Sequence, residues 1–258
     1  MRRLIVEEPV SRAATWAPRF AWLAVAVTAI ATALVRFGVV DVVPGLAAVA
    51  SGLFLAGIAV LLSCAAFIRI WTQGHRGFGA AAGGLFVALL VLAYPAFEAA
   101  RALMLPPLTD ITTDLTDPPA FSRSRAALGA RNGLVPATPP AGTREVQRLA
   151  YPRVASLTLD VAAEEAFALA RRAAERRGWR IVEMQPPGGR SGLGRIEGVT
   201  YTFVLKLPID VTVRVRPLAE GTRIDMRSAT RIGPHDVGAN AAVIQRFFDE
   251  VSTLALAL

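Results

Sequence analysis

Apolar positions follow two different patterns along this chain. Between Phe20 and Met104 they form three near-continuous runs, Ala21–Val35, Leu46–Ile70 and Phe78–Phe97, separated by short segments carrying Arg, His, Pro or Gly. From Tyr151 onward they alternate or recur at helical spacing. A helix that crosses a bilayer needs about 20 largely apolar residues, because unsatisfied backbone groups are prohibitive in hydrocarbon. The second and third runs meet that length. The first needs Phe20 and a snorkelling Arg36 with Phe37–Val40 to reach it. A soluble bundle would keep a polar face for water, yet Leu46–Ile70 carries no charge before Arg69. The pattern therefore predicts a membrane region over residues 1–105, with spans at about 20–40, 46–70 and 78–97.

Residues 106–150 contain Pro106, Pro107, Pro118, Pro119, Pro136, Pro139 and Pro140 and few apolar positions, so they read as an extended connector. One strip inside it, Asp110-Ile-Thr-Thr-Asp114-Leu-Thr-Asp117-Pro-Pro-Ala-Phe121, supports two readings. Asp and Thr ahead of Pro favour turns and self-capping. Alternatively, Ile111 and Phe121 dock the strip onto the domain that follows.

Residues 151–258 predict an α+β domain of order β-α-β-β-β-β-α, an antiparallel sheet with two helices on one face. Strands are expected at Ser156–Leu159, Trp179–Met184, Arg195–Leu207, Ile209–Pro217 and Thr222–Ile232. Asp160 is the expected N-cap of a helix over Val161–Arg177 that closes at Gly178. A last helix, Gly238–Leu254, follows a cap at Asp236 and repeats Val243, Ile244, Phe247, Phe248, Val251 and Leu254.

The last hairpin can be read to its register. Val211, Val213 and Val215 alternate with Asp210, Thr212, Arg214 and Arg216, and Ile224 and Met226 alternate with Arg223, Asp225 and Arg227. A turn at Leu218–Gly221 sets Val213 against Met226, Val215 against Ile224 and Arg214 against Asp225. Thr212 then meets Arg227, with Asp210 on the diagonal. One face is apolar and the other is a row of Arg and Asp; a slip of one residue would turn charges inward. Such a row is either a solvated face with cross-strand ion pairs, or an Arg-lined surface whose forks match phosphate or carboxylate.

Charge and composition narrow the chemistry. The net charge of +8 is spread over the chain and forms no aromatic-studded basic patch, which argues against nucleic acid. Cys64, the only cysteine, lies in the second run, so neither an internal disulfide nor a cysteine-ligated metal site is available. His75 and His235, the only histidines, fall on opposite sides of a predicted span, which excludes a His-pair metal site and a Ser-His-Asp relay. Ser228 has no G-x-S-x-G elbow. Gly79 and Gly83 give a GxxxG spacing that permits close helix approach. Glu98 and Arg101, past Pro95, are spaced for an interfacial ion pair, too little for an ion pathway. Arg2, Arg3, Arg12, Arg19, Arg69 and Arg76 collect on one side of the predicted spans, which the positive-inside rule makes cytoplasmic; Trp16, Trp22 and Trp71 suit that interface. Three spans then carry the C-terminal domain to the other side.

Asp110–Phe121, Gly194-Arg-Ile-Glu197, Asp210-Val-Thr-Val-Arg214-Val and above all Arg227-Ser-Ala-Thr-Arg-Ile-Gly-Pro-His-Asp-Val-Gly-Ala-Asn240 resemble the DUF1499 family of uncharacterised domains, over about Asp110–Leu254. The resemblance implies that the strip belongs to the domain, and it brings no reaction, cofactor or ligand. Family members tend to carry an acidic residue just before the position of Asp210, where this chain has Ile209 after Pro208, so a role for an acidic pair there is not implied.

The expectation is a multi-pass protein of a bacterial inner membrane, with a non-catalytic extracytoplasmic module that interacts with an envelope protein or binds an anion or lipid headgroup. An envelope enzyme acting on lipid or glycan, or a structural subunit of a membrane complex, are the alternatives. Candidate binding residues are Arg214, Arg227, Arg231, Asp236, Asn240, Asp110 and Asp117, with Asp236 and Asn240 expected to fix the strand-to-helix turn. No metal or cofactor is expected.

Overall fold

The computed structural model describes residues 9–137, 139–188 and 192–257. Arg2 and Arg3, and the middle of the Pro186–Gly194 loop, lie outside the described residues. The chain divides into two compact units, Met1–Ala100 and Arg101–Leu258.

The first unit is built from three long helices: α1 Arg12–Arg36, α2 Val42–Gln73 and α3 Phe78–Met104, whose last turn belongs to the second unit. Each is long and apolar enough to cross a membrane. Their packing is inverted relative to a soluble bundle. The fully buried positions are small, among them Ala17, Ala21, Ala56, Ala59 and Ala88, while Phe54, Leu61, Ile68, Phe86 and Leu90 face outward. Water would penalise that surface and lipid would not. α1 gains its length at its N-terminal end, from Arg12, and stops at Arg36; Phe37–Val40 form a turn and are not helical. Gly38, at φ 68°, sits in that turn and halts the helix there. The glycines at close helix approaches are also not the expected ones. A Cβ on Gly84 would lie 2.7 Å from Pro18 N, and one on Gly52 2.2 Å from Thr28 Oγ1, whereas Gly79 and Gly83 have nothing within 4 Å. Ser11 N–H donates to Arg76 O (3.0 Å), which brings the start of α1 and the α2–α3 loop to one end of the bundle.

The second unit is an antiparallel sheet of six strands: β1 Asp110–Thr112, β2 Leu157–Leu159, β3 Arg180–Gln185, β4 Gly194–Tyr201, β5 Pro208–Pro217 and β6 Thr222–Thr230. The order is β1-β6-β5-β4-β3, and β2 pairs further along β6 on the same edge as β1. Helices α6 Ala163–Arg176 and α7 Ala239–Ala255 cover the apolar face. Val211, Val213, Val215, Ile224 and Met226 are fully buried there, and Trp179 stacks on Phe247 at 4.7 Å. Ile111 of β1 joins the same core. The β5–β6 register is the expected one: Val213 opposite Met226, Val215 opposite Ile224, Arg214 opposite Asp225 and Thr212 opposite Arg227.

Four local expectations are corrected. α6 starts at Ala163 behind an Ala162 N-cap with no side-chain cap bond, rather than at Val161 behind a cap at Asp160. The carbonyl of Val161 is taken by Thr222 Oγ1–H (2.7 Å), which ties that segment to the sheet edge and delays the helix. The strand expected to reach Leu207 ends at Tyr201; Thr202–Leu207 is a loop closed by Thr202 N–H to Leu207 O (2.9 Å). The fifth strand of the expected set, Thr222–Ile232, stops at Thr230. Finally, residues 106–150 are not an extended connector throughout: they supply β1 and two helices, α4 Arg125–Ala130 and α5 Ala141–Ala150.

Candidate functional site

Pleating sends Asp210, Thr212, Arg214 and Arg216 of β5 and Asp225 and Arg227 of β6 to the face opposite α6 and α7. On that face the register sets like charges opposite one another: Glu183 against Glu197, Arg195 against Arg214, Arg216 against Arg223. Like charges in directly opposed positions destabilise a sheet. The Asp110–Arg131 segment lies across this face as a strap and provides the missing counter-charges, acidic groups over the arginines and a base over the glutamates.

At the arginine end, Arg214 is the hub. Its Nη2 lies 2.9 Å from Asp225 Oδ2 and 3.2 Å from Asp114 Oδ2, and its Nη1 2.8 Å from Asp117 Oδ2. Arg223 reaches Asp225 (2.8 Å) and Asp114 (2.9 Å), and Arg216 reaches Asp117 (3.0 Å). Burial works against the Asp114 carboxylate, but N–H bonds from Asp117 and Thr116, the Thr116 hydroxyl and Arg223 outweigh it and hold its pKa below the ordinary value.

Next along the sheet, Arg227 forks onto Asp110, with Nη2 2.7 Å and Nε 3.1 Å from Oδ2 and Nε 3.0 Å from Oδ1. Nη2 also donates to Ala137 O (2.7 Å). Burial raises the Asp110 pKa although the hydrogen bond and charge of Arg227 oppose it. Phe121 pins the middle of the layer, with the guanidinium of Arg227 4.9 Å from its ring centroid and that of Arg131 5.3 Å.

At the glutamate end, Arg131 Nη1 pairs with Glu197 Oε2 at 3.1 Å, and its Nη2 donates to Ser122 O. Ser122 N–H donates to Glu197 Oε1 (2.8 Å). The pair is almost fully buried, with side-chain exposures of 3% and 2%. Desolvation raises the Glu197 pKa despite these bonds. Glu183 accepts the hydroxyls of Ser122 (2.7 Å) and Ser124 (2.6 Å), and those bonds lower its pKa.

The remaining candidates hold the end of β6. Arg231 forks onto Asp210 at 2.8 and 2.7 Å. Asp236 accepts N–H bonds from Gly238 (2.9 Å) and Asn240 (3.0 Å) and so fixes the turn into α7, although the N-cap position itself is Gly238 and not Asp236. Asn240 Nδ2 donates to Thr109 O (3.0 Å) and its Oδ1 accepts from Ser228 Oγ (2.8 Å). Ser228 is fully buried, out of reach of any substrate. The ring of His235 accepts Val237 N–H at Nδ1 (2.9 Å) and turns Nε2 to the carbonyls of Leu105 (3.0 Å) and Ala102 (3.2 Å).

The seven candidates thus fall into separate groups: Arg214 with Asp117, Arg227 with Asp110, Arg231 with Asp210, and Asp236 with Asn240. Each arginine of the row holds a carboxylate of its own chain. Sequence reasoning did not reach Arg131, Glu183, Ser122 and Ser124, which have no signature at short range, and it met Glu197 only as part of the family motif. It also missed Gln147, whose side-chain amide binds both Thr112 N–H (3.2 Å) and Thr112 O (2.6 Å) and stands in for a further strand at the β1 edge.

A family model described as "Protein of unknown function (DUF1499)" matches residues 110–251. The chain belongs to the DUF1499 family. The match opens at Asp110, the first carboxylate of the strap, and closes in α7, so strap, sheet and both packed helices constitute the DUF1499 unit and the three apolar helices lie outside it. Comparison with curated proteins finds no match.

Proposed function

We propose that this DUF1499 protein is a membrane-anchored, non-catalytic interaction module of a bacterial cell envelope, and that its arginine–carboxylate layer is the frame of the module. One observation carries this reading: the groups that could have formed an anion site or an acid–base pair are engaged with one another. Arg227 and Arg131, each under 5% exposed, have carboxylate and carbonyl partners inside the chain. A domain fixed in this way presents a rigid surface, which suits recognition of a partner protein.

The same reading takes the membrane to be the bacterial inner membrane, with the N-terminus cytoplasmic and the DUF1499 unit extracytoplasmic. Arg12, Arg19, Arg69 and Arg76 support it, being grouped towards the end of the bundle where α1 starts and α2 meets α3. A second reading, anion or lipid-headgroup binding, has one observation in its favour. Asp117, 66% exposed, lies over Arg214 and Arg216 as a counter-ion that an incoming phosphate would have to displace. An enzyme is less well served. A concavity of about 580 Å³ beside α6 does bring Asp160 and Glu164 together, but both are exposed and lack the burial that tunes a catalytic acid.

The test is cross-linking mass spectrometry in native membranes with the full chain, paired with lipid analysis of protein purified in mild detergent. The interaction reading expects cross-links from the DUF1499 unit to an envelope protein, converging on one face and insensitive to Asp117→Asn. Retention of a stoichiometric anionic lipid, changed by Asp117→Asn or Arg216→Gln, favours the headgroup reading instead. Cross-links confined to the chain itself, with no retained lipid, would contradict both.

A further inference from the structure

We infer that the β4–β5 hairpin tip, Tyr201–Leu207, is seated in the interfacial layer of the bilayer that the apolar helices cross, as a second and non-helical anchor for the DUF1499 unit. The tip reads Tyr-Thr-Phe-Val-Leu-Lys-Leu, an apolar run where a soluble hairpin would carry polar turn residues. Phe203 is 88% exposed and Tyr201 42%. The loop is shaped by the chain's own bonds: Thr202 N–H donates to Leu207 O (2.9 Å), Leu207 N–H to Thr202 Oγ1 (2.9 Å), and Lys206 takes a left-handed φ of 52°. That conformation is uncommon for a residue with a side chain. An aromatic pair flanked by aliphatics and a single lysine matches the composition of an interfacial anchor, with rings at headgroup depth and the ammonium among the phosphates.

Position within the unit selects the occupant. The chain enters the sheet through residues 101–109, where Asp236 N–H donates to Leu108 O (3.0 Å) and Thr230 N–H to Thr109 O (2.9 Å). Thr230 is opposite Ile209 and Tyr201 is opposite Pro208, so the entry segment and the hairpin tip occupy the same end of the sheet. Leu103 and Met104, in the last turn of the third apolar helix, are exposed there at 90% and 83%. The tip is therefore at the end of the unit where residues 101–109 lead the chain into the sheet. The β5–β6 turn at the opposite end, Leu218–Gly221, carries Glu220 and no aromatic residue. This inference rests on the apolar helices alone and is independent of what the module binds.

The test uses the full chain with Cys64→Ser, reconstituted in nanodiscs of phosphatidylcholine and phosphatidylglycerol. An environment-sensitive fluorophore is attached at Phe203→Cys and, as a control at the other end of the sheet, at Ala219→Cys. The expected result is blue-shifted emission at position 203, quenched by spin label placed high on the lipid acyl chain and shielded from iodide, with the reverse at position 219. Equal quenching by iodide at both positions would overturn the inference. Protection of position 203 from both quenchers would also overturn it, since the tip would then be against protein. Photolabelling of the unmodified chain by a diazirine lipid checks the same point without substitution: labels within 201–207 are expected, and their absence from that peptide counts against it. A tip found in water while partner cross-links persist would refute this anchor and leave the interaction reading intact.

Discussion

Cutting the Asp110–Arg227 pair separates a strap that is part of the fold from one that merely rests on it. Arg227 is 4% exposed and Asp110 13%, and the two are joined by a forked contact of 2.7–3.1 Å. Asp110→Leu leaves a guanidinium that cannot shed its proton in a dry site. Breaking a buried pair from one side costs about 3–5 kcal/mol. Ala137 O and the Phe121 face remain as partners, which places the expected loss near the lower bound, about 3 kcal/mol. Arg227→Met should cost less, about 1–3 kcal/mol, the range for a buried acceptor left unpaired, because the Asp110 carboxyl, already raised by burial, can take up a proton. Asp110→Leu with Arg227→Met removes both charges and should recover much of the loss, since apolar replacement of a buried pair is often neutral. The assay is urea unfolding of the full chain in detergent, read by pulse proteolysis of the DUF1499 unit, with free energies from the shift in midpoint. The expected coupling energy is about 2 kcal/mol, inside the range of about 0.5–3 kcal/mol seen between contacting residues. Additivity within about 0.5 kcal/mol would refute the reasoning, because independent sites behave that way.

Two further outcomes follow from named contacts. Gly84→Leu should disrupt the helix bundle and lower its melting temperature in detergent, since even a Cβ there would sit 2.7 Å from Pro18 N, while Gly83→Leu, with nothing within 4 Å, should leave it unchanged. Equal effects would mean that the helix rotation is different. Glu183 has a folded-state pKa below its ordinary 4.5, so its contribution is present above that value and is lost as pH falls through the lowered one. Wild type and Glu183→Gln should therefore differ in unfolding midpoint near neutral pH and converge under acid; a difference that grows on acidification would reverse the sign and the assignment. Asp110 and Glu197 act oppositely, their raised values removing stability as pH rises above the ordinary carboxylate range.

Legibility in the sequence tracked the range of the contacts. The β5–β6 register could be read because alternation and a short turn leave one pairing that keeps charge off the core. The turn at Asp236 and Asn240 was readable for the same reason: its bonds span two to four residues. Of the strap, the docking of Ile111 and Phe121 was readable as one of two alternatives, and both are buried, but its charge partners were not. Its partners lie far away, Asp110 on Arg227 and Ser122 on Glu197, and its residues have neither period of regular structure. α4 is six residues long and rests on a serine cap at Ser124, and α5 is ten residues long and tied to the β1 edge by Gln147, so neither offers a window long enough for a helical period to announce it. The tight glycine in the membrane region was Gly84 rather than the Gly79–Gly83 pair, because rotation of a helix about its axis is set by its neighbours. Family resemblance reached further than periodicity here: it marked Asp110 as the first residue of the domain, and the family match begins at that residue.

The central claim is that the 110–131 segment is a structural layer of the DUF1499 unit whose charges complete the sheet. Hydrogen exchange of the full chain, followed by mass spectrometry at single-amide resolution, tests it most directly. Thr112, Thr113 and Ser122 donate their amides to Gln147, Met226 and Glu197, and should exchange as slowly as the β5–β6 ladder. Exchange of those three amides as fast as that of Ala219 and Glu220 in the exposed β5–β6 turn would show a strap that comes and goes, and would contradict the account.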